Sequence, residues 1–447
     1  MNLSCDFNFF LLTLFKNQVV YRESTIAKCF TLVMLFSMRD KKIYYICVTP
    51  FFPSPKRWQG AYVLDQVKAI ARNSSYEVMV FVGGGNENDD YVVDGVKVYR
   101  YKTREMPSNI LNGIFNGYNA RSFVKRVLSL GVNPEDIAFV HCHVSMRAAC
   151  GLALKKLNPK IKVLLQHHDL DPFNLRSGVI GRNNRFNIRY RAKKAIALYN
   201  QVDLHICISN ACLNTLLQFP DARHSEAYDD YKRSLSLCKG LLSIHPKATY
   251  VLYNGVDCRM FNKGKGLTKI QEESSIIKIG CIANFQELKD HITLIKAFEI
   301  LHKRGFDNIR LSLLGSGETK DMCVSYLKEH GLYQFVEWPK EVTHDKLPDY
   351  YYSLDLFVLP SYFEGFGCVF TEAAACGVPF MGCVNQGYSE YIPEADKDKW
   401  LIEPKDYVQL AKNIMNYIQN RYQQKLCETY DIDLLIRNYL KHIVTLW

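Results

Sequence analysis

Short apolar runs alternate with helical segments along most of the chain, and this order constrains the fold more than any other feature. In the first half, an apolar run at 43–48 precedes a helical segment at 61–72, and the pattern then repeats. A second series of the same kind starts near residue 276 and reaches 356–359. Alternating strands and helices form parallel sheets that are covered on both faces. We therefore predict an α/β chain with two Rossmann-like, doubly wound domains.

The length of the chain agrees with two domains rather than one. At 447 residues it is too long for a single core and suits two domains of roughly two hundred residues each. In doubly wound sheets, ligands bind beyond the carboxyl ends of the strands, so we expect a site in the cleft where the two domains face each other. The predicted segments are an N-terminal extension (1–37), a first domain (38–253), a second domain (254–425) and a last helix that could cross back (426–447). The predicted strands are 43–48, 77–82, 137–141, 162–166, 204–208, 311–314, 335–338 and 356–359, and the predicted helices are 61–72, 145–156 and 210–218.

Residues 1–37 do not fit the alternating pattern. Their two apolar runs, 9–15 and 29–36, are each too short to cross a bilayer, and charged residues separate them. The first convincing strand follows shortly after Met38. We expect Met38 to be the working start and the preceding segment to be a non-native or flexible extension, with a membrane-associating extension as the alternative.

The cysteines indicate a cytoplasmic protein. The chain has 15 of them, scattered singly through apolar runs without the short regular spacings of a disulfide or zinc framework. Cys376 and Cys383 lack the histidine or second cysteine that a metal site would need. We therefore expect reduced core cysteines and no metal.

Charge is divided unevenly between the two halves. Residues 1–250 hold 34 Lys and Arg against 19 Asp and Glu, a net of +15, which leaves −4 for the remainder because the whole chain carries +11. The most concentrated stretch, 176–194, interleaves cations with aromatic and aliphatic residues and lies where no acidic residue occurs between Asp171 and Asp203. This composition suits peripheral docking on an anionic membrane face. A solvated helix face is the alternative, and no nucleic-acid recognition module accompanies the patch.

Two carboxylates, Glu364 and Glu372, lie on either side of seven residues at a probable strand–loop–helix junction. An apolar run ends near Pro360, glycines flank Phe366, and a helix of small residues is predicted over 369–376. The amino end of such a helix favours a phosphate or diphosphate. If all eight steps were helical, the two carboxylates would lie about 12 Å apart along the axis. On spacing alone, a loop charge and a solvated helix charge remain the simpler explanation.

The neighbouring residues change that balance. The stretch from Phe357 to Glu390 resembles the Glu-x7-Glu signature of the retaining, nucleotide-sugar-dependent glycosyltransferases of family 4, which have the two-domain GT-B fold. Further landmarks of the family follow in the right order, and the resemblance covers most of the chain from about residue 42 to about 435. These landmarks are the Asn-Gly-Val-Asp segment at 254–257, the strand at 203–210, the start of the donor domain at 279–297 and the turn at 314–317.

The resemblance implies a role for each residue that matches the family pattern. It assigns catalysis to Glu364 and His168, with Glu364 supporting the donor sugar, and it assigns the ribose hydroxyls to Glu372. Lys289 matches the lysine that neutralises the leaving diphosphate. The full set of implied donor-binding residues is Gly60, Asn284, Lys289, Gly365, Phe366, Gly367 and Glu372.

The chain departs from the family at two of these places. Gln59 replaces the first glycine of the loop in which Gly60 resembles the second, where the backbone must approach the diphosphate closely. Asn284, or its neighbour, stands where the family often has an arginine, and an asparagine supplies hydrogen bonds but no charge. Lys289 would then supply most of the neutralisation, unless another cation substitutes.

The histidines of the first half follow predicted strands. Gln166-His167-His168-Asp169 resembles the family segment whose histidine lies near the reacting sugar. We assign this role to His168, with His167 as the near alternative. We expect His141 and His143, which follow the preceding strand, to be structural or to shape the acceptor site.

The resemblance implies a retaining transferase that moves a sugar from a nucleoside diphosphate sugar to a hydroxyl of a glycan or lipid-linked acceptor. It implies no cofactor beyond that co-substrate, and no metal, because the Asp-x-Asp pair at 169–171 lies in the wrong half. The implied setting is polysaccharide or glycolipid synthesis at the inner face of a membrane. The alternatives are a non-catalytic nucleotide-sugar-binding module and a GT-B relative such as a sugar-nucleotide epimerase or a glycan phosphorylase.

Overall fold

The computed structural model describes residues 42–54, 59–84, 89–106, 110–168, 185–219, 236–262 and 276–447. The predicted N-terminal extension, the Asp-x-Asp pair and the first part of the basic stretch, 176–184, lie outside these residues.

An eight-stranded sheet forms the core of what we call the N-terminal lobe. Its strand order is β3-β4-β2-β1-β5-β6-β7-β8, and every neighbouring pair is parallel except β3 with β4. The antiparallel pair closes one edge of the sheet. The strands are β1 (Tyr44–Thr49), β2 (Glu77–Gly83), β3 (Tyr91–Val93), β4 (Val96–Tyr101), β5 (Ile137–His143), β6 (Lys162–His167), β7 (Leu204–Cys207) and β8 (Thr249–Val251).

A six-stranded parallel sheet forms the core of the second part, the C-terminal lobe. Its order is β11-β10-β9-β12-β13-β14, so the chain winds outward in both directions from β9. The points at which such an order reverses are the places where doubly wound sheets leave a crevice. The strands are β9 (Ile277–Ile282), β10 (Ile309–Leu314), β11 (Val336–Glu337), β12 (Leu356–Val358), β13 (Phe380–Cys383) and β14 (Leu401–Ile402).

Helices connect the strands, as parallel pairing requires. The helices of the N-terminal lobe are α1 (Ala61–Arg72), α2 (Asn116–Ser129), α3 (Ala148–Lys155), α4 (Arg185–Tyr199) and α5 (Asn210–Leu217). Those that follow are α6 (His291–Lys303), α7 (Lys320–Glu329), α8 (Leu347–Tyr352), α9 (Cys368–Ala375), α10 (Lys397–Trp400), α11 (Tyr407–Asn420) and α12 (Ile432–Thr445).

The predicted fold class of two doubly wound α/β domains is confirmed. The central strands are buried along almost their whole length, as in β1, where five of six residues are buried. This burial explains why the strands appear in the sequence as continuous apolar runs rather than as alternating ones. The sequence analysis did not predict strands β3, β4, β8, β13 and β14 or helices α2, α4, α6, α7, α8 and α10.

The last helix, α12, packs on the N-terminal sheet. Ile436 and Tyr439 are buried in a cluster with Tyr45 of β1, and the hydroxyls of the two tyrosines are 2.8 Å apart. At the start of the helix, Arg72 of α1 forms an ion pair with Asp433 at 2.9 Å. Helix α12 follows the C-terminal lobe in sequence but packs on the N-terminal lobe.

Two further features concern the cysteines and the length of the helices. The described cysteines form no disulfide with one another, and most of them are buried. In the described part of the chain, no helix combines the length and the apolar character that a membrane crossing needs.

Candidate active site

The junction that carries Glu364 and Glu372 is a strand, a loop and a helix. Strand β12 ends at Val358, Glu364 lies in the loop, and α9 begins at Cys368. The distance of about 12 Å applied only to a continuous helix. That condition is not met, because only the steps from Cys368 onward are helical. Glu372 lies in the second turn of α9, whereas Glu364 lies before the amino end of that helix.

Gly367 makes this tight entry possible. It precedes α9 with φ +90°, in the left-handed region that favours glycine. A Cβ atom on Gly367 would lie 2.8 Å from the Phe370 ring and 3.0 Å from that of Tyr388. The loop can therefore turn into the helix here only without a side chain.

Lys289 and Glu364 form an ion pair that brings together the two predicted residues of opposite charge. Lys289 ends a short 3-10 turn just before α6, and its Nζ contacts Glu364 Oε1. Both side chains are largely buried, at 22% and 12% exposed. The backbone N–H of Glu364 donates to Gln386 Oε1 at 2.7 Å, which fixes the loop from the other side.

A cavity of about 420 Å³ opens beside this ion pair. It lies at the carboxyl ends of β9, β10 and β12, where ligands of doubly wound sheets bind. The lining residues that the structure describes all belong to the C-terminal lobe. Its polar lining includes Asn284, Lys289, Glu341 and Glu364, and its backbone lining includes Gly315 and Gly367.

Gly315 allows the β9 and β10 loops to approach each other at the floor of the cavity. A Cβ on Gly315 would lie 2.0 Å from the carbonyl oxygen of Ala283, and the residue has φ +149°. Ala283 N–H in turn donates to Leu314 O at 3.1 Å. Asn284 is exposed at this edge, so the residue that replaces the family's arginine does line the cavity.

Glu372 does not line the cavity but is buried in the wall behind it. Its Oε2 accepts a hydrogen bond from the Tyr351 hydroxyl at 2.8 Å, and its Oε1 lies 3.9 Å from His344 Nε2. Burial raises the pKa of this carboxyl above its ordinary value, although the neighbouring His344 and Tyr351 lower it. The sequence did not point to either partner.

Gly365 and Phe366 face the junction of the two lobes rather than the cavity. The Ser209 hydroxyl donates to Gly365 O at 3.0 Å. The Phe366 ring is buried and packs against those of Tyr253 and Tyr391, with centroids 6.0 and 5.7 Å away. Both residues belong to the loop that carries Glu364, and their role in donor binding stays a prediction.

Glu390 joins the lobes next to this contact. Its carboxylate accepts hydrogen bonds from the backbone N–H groups of Asn210 and Ala211 at 2.9 and 2.8 Å, at the amino end of α5. It also accepts from the Tyr253 hydroxyl at 2.9 Å. A carboxylate at a helix amino end is favoured by the helix dipole. In the sequence, Glu390 marked only the end of the stretch that resembles the family signature, and nothing indicated this contact.

Gly60 directly precedes α1 in the N-terminal lobe and has φ +89°. A Cβ there would lie 3.0 Å from Phe51 O, so both the backbone angle and the space favour glycine. The predicted replacement of a glycine by Gln59 leaves this turn in place.

The two adjacent histidines at the end of β6, His167 and His168, lie on opposite faces of the sheet. His167 is buried against His205 and Tyr199, and its Nε2 is 2.9 Å from His205 Nδ1. His168 packs instead against Phe51 and Tyr62, with ring centroids 5.5 and 5.1 Å away, in the region of Gly60. His168 is thus the histidine of the pair that lies near the glycine turn.

Part of the basic stretch is visible in α4. Arg185, Phe186, Lys193 and Lys194 are exposed, with Phe186 at 68%. Arg189, by contrast, donates to the carbonyl oxygens of Leu237 and Lys239, both at 2.9 Å, and Arg191 is buried. Some of the predicted surface cations are therefore structural.

Family models match both lobes. The model described as Glycosyltransferase Family 4 matches residues 59–225, and the model described as Glycosyl transferases group 1 matches residues 268–431. Together they cover about three quarters of the chain. The chain belongs to the GT-B glycosyltransferases of the family 4 type. The family assignment agrees with the resemblance predicted from the residues between Phe357 and Glu390.

One curated relative matches over part of its length. A D-inositol 3-phosphate glycosyltransferase of Paenarthrobacter aurescens is 29% identical over 178 residues, which are 37% of this chain and 43% of the relative. The matched segment thus spans less than half of that relative.

Solved structures of the GT-B type match the fold of both lobes. Sucrose-phosphate synthase from Thermosynechococcus elongatus superimposes with a TM-score of 0.60 at 17% identity, over 89% of this chain and 94% of the other. HepE of Anabaena in complex with UDP and glucose superimposes with a TM-score of 0.57 at 16% identity, over 90% and 99%. At such identities the likeness establishes the GT-B fold.

Proposed function

We propose that the protein transfers a glycosyl unit from a nucleoside diphosphate sugar to a hydroxyl of a glycan or lipid-linked acceptor, with retention at the anomeric carbon. The observation that carries this proposal is the Lys289–Glu364 ion pair at the mouth of the cavity. It places a cation and a carboxylate side by side at the carboxyl ends of the parallel strands and next to the amino end of α9. The UDP bound by the structural relative HepE is consistent with such a ligand.

In this proposal Lys289 binds the diphosphate. Its ammonium group leaves Glu364 and neutralises the phosphate oxygens, while the free N–H groups at the start of α9 add a positive potential. Glu364, released from the pair, accepts hydrogen bonds from the donor sugar. Because Asn284 supplies no charge, the neutralisation depends mainly on Lys289.

Glu372 takes the ribose hydroxyls through Oε1, since Tyr351 already donates to Oε2. The buried position of Glu372 requires the ribose to reach the wall of the cavity. Gly60 lets the backbone of the N-terminal lobe approach the diphosphate, and His168 lies on the sugar side of that turn.

Retention follows if the acceptor hydroxyl attacks the anomeric carbon from the face that the phosphate leaves. The bond between the anomeric carbon and the phosphate oxygen breaks, the bond to the acceptor oxygen forms, and the hydroxyl proton passes to the departing phosphate. Charge then develops on the phosphate and on an oxocarbenium-like sugar, and fixed charges such as Lys289 and Glu364 stabilise both. No protein nucleophile or metal is invoked.

The experiment has two stages. Thermal-shift screening against nucleoside diphosphate sugars identifies the donor, because a ligand that binds only the folded state raises the melting temperature. Transfer is then measured with wild type, Lys289→Ala and Glu364→Gln, for which we expect kcat to fall by about 10²- to 10³-fold. Lys278→Ala is the matched control, since Lys278 forms an ion pair with Glu337 at 2.8 Å outside the cavity.

The outcomes separate the alternatives. Full turnover by Glu364→Gln would refute the site assignment. Donor binding without any transfer would favour a non-catalytic binding module. Conversion of the donor sugar without an acceptor would favour an epimerase.

We also propose that the exposed part of α4 contacts an anionic membrane on which a lipid-linked acceptor lies. Phe186 offers an apolar contact, and Lys193 and Lys194 offer positive charge on the same helix. Sedimentation with vesicles of phosphatidylcholine and phosphatidylglycerol tests this contact. Binding that needs the anionic lipid and is lost in Lys193→Glu/Lys194→Glu supports it, and equal binding by both proteins contradicts it.

A further inference from the structure

Three histidine rings form a row on one face of the N-terminal sheet. His141 and His143 are two residues apart on β5, and their rings stack with centroids 4.5 Å apart. His143 then lies against His168, with ring centroids 4.9 Å apart and planes 11° from parallel. His143 Nδ1 and His168 Nε2 are 2.6 Å apart, which is hydrogen-bond distance.

A hydrogen bond between two imidazole nitrogens contains one proton. Either His143 Nδ1–H donates to His168 Nε2 or the reverse, so the tautomers of the two rings are coupled. In both cases, the remaining ring nitrogen of His168 is Nδ1, which is buried and has no partner in the described part of the chain. A buried nitrogen without a hydrogen bond lowers the stability of the folded protein, and a ligand group that bonds to it would remove that cost.

The protein surroundings keep these rings neutral. Burial, and to a smaller extent the nearby His141, lowers the pKa of His168 to about 3. The pKa of His143 is also well below its ordinary value, first because of burial and then because of His141 and His168. A neutral ring can both donate and accept, which suits contact with a hydroxyl group.

The backbone beside His143 is strained. Val144 has φ +62° and ψ +153°, a conformation that is rare for a β-branched residue. Its N–H donates to Gln166 O at 3.1 Å, and its carbonyl accepts from Arg147 N–H at 3.2 Å. Strained residues persist where the surrounding structure fixes them, often at functional sites. Here the strained turn ends β5 immediately after the side chain that holds His168.

We propose that His143 is a positioning residue for the transfer reaction, and this inference rests on the proposed function. Its Nδ1 holds the His168 ring through the shared proton, selects one tautomer of that ring, and leaves His168 Nδ1 as the polar atom that meets a hydroxyl of the donor sugar. His143 itself does not touch the substrate.

A double-mutant cycle tests this dependence. We expect His143→Leu to lower kcat by about 10- to 100-fold, because the ring of His168 loses its fixed orientation, with the donor KM unchanged within about twofold. His143→Asn, whose amide can donate or accept, should recover most of that loss. In a His168→Ala background, His143→Leu should have no further effect, because its action passes through His168. An additive effect of the two substitutions would overturn the proposal.

His205→Leu is the matched control. His205 is the partner of His167 in a pair of the same kind on the opposite face of the sheet, with nitrogens 2.9 Å apart and rings stacked at 5.2 Å. Its removal also leaves a buried histidine without its partner, so the melting temperature should fall about as much as in His143→Leu. The kcat should stay within about twofold of wild type. If kcat falls equally in the two variants, His143 acts only on the stability of the fold, and the proposal is refuted.

A second readout does not depend on transfer. In ¹⁵N NMR of the histidine side chains, we expect His168 in wild type to be a single neutral tautomer and in His143→Leu to be a mixture of both. Identical spectra would overturn the proposal. Full transfer by His168→Ala would also overturn the proposal for His143, but the proposed function would stand. If wild type transfers a sugar from no donor, the proposed function is refuted. The NMR comparison then remains the test of the His143–His168 contact.

Discussion

Replacing Glu390 by alanine should separate donor binding from catalysis. The Glu390 carboxylate joins the loop that follows β13 to the amino end of α5, and thereby joins the lobe of Glu364 to the lobe of His168. The donor cavity lies within the C-terminal lobe, so it should survive the loss of this contact. We expect nucleotide affinity to change by less than about twofold while kcat falls.

The size of the effect follows from the bonds that are lost. Hydrogen bonds to a charged group contribute about 1.5–3 kcal/mol each, and exposure of the site reduces this value. Asn210 is exposed, and water can replace Glu390 on its N–H, whereas Tyr253 is half-buried. Because water replaces the carboxylate on the exposed groups, we count the net loss as about one such bond, or about 2 kcal/mol. That energy corresponds to about 30-fold in the population of the joined arrangement.

The assay compares calorimetric titration of the nucleotide with the kcat of transfer. Glu394→Ala is the control, since Glu394 lies nearby and forms an exposed ion pair with Lys397, of the kind that contributes little. We expect Glu390→Ala to lose up to about 30-fold in kcat and Glu394→Ala to lose nothing. Loss of nucleotide affinity in parallel with kcat would refute the reasoning, because it would mean that the cavity itself depends on the junction.

Three other changes have defined outcomes. Gly60→Ala should lower the free energy of unfolding by about 1–2 kcal/mol in a urea titration, because of its positive φ and the nearby Phe51 carbonyl; an unchanged midpoint would contradict this. Glu372→Gln should raise the free energy of unfolding at pH 7 by about 0.5–2 kcal/mol and weaken nucleotide binding, since burial raises the pKa of this carboxyl and its charged form is unfavourable there; lower stability would count against it. The pKa values of His141 and His168, about 3 because of burial, lie below that of the unfolded chain near 6.5. The free energy of unfolding should therefore fall between pH 6.5 and 4 by up to about 1.4 kcal/mol per pH unit for each histidine, and a flat profile would contradict this.

The sequence predicted the elements that are buried on both faces. Strands such as β1 and β6 appear as continuous apolar runs, because helices cover both sides of the sheet. The edge strands β3 and β14 have no such signal. Strands β3 and β14 are three and two residues long, and only their pairing with a neighbour makes them strands.

The candidate site was predicted through side chains whose neighbours in sequence are also their neighbours in space. Glu364 and Gly367 share one loop, so their positions at the cavity could be predicted together. Contacts between distant segments could not. Tyr351 reaches Glu372 from another helix, and His143 reaches His168 from another strand, so neither partnership leaves a pattern in the sequence.

The contacts of Gly365 and Phe366 could not be predicted from the sequence either. Both lie within the motif, and spacing alone cannot indicate which way a loop residue faces. In the structure they contact Ser209 and Tyr253 of the other lobe. The motif therefore serves the junction of the lobes as well as the cavity.

A crystal structure with UDP or GDP soaked in tests the central claim most directly. The account predicts a diphosphate within hydrogen-bond distance of Lys289 Nζ, beside the amino end of α9, with the Lys289–Glu364 ion pair opened. A nucleotide bound outside this cavity, or one that leaves Lys289 on Glu364, would contradict it.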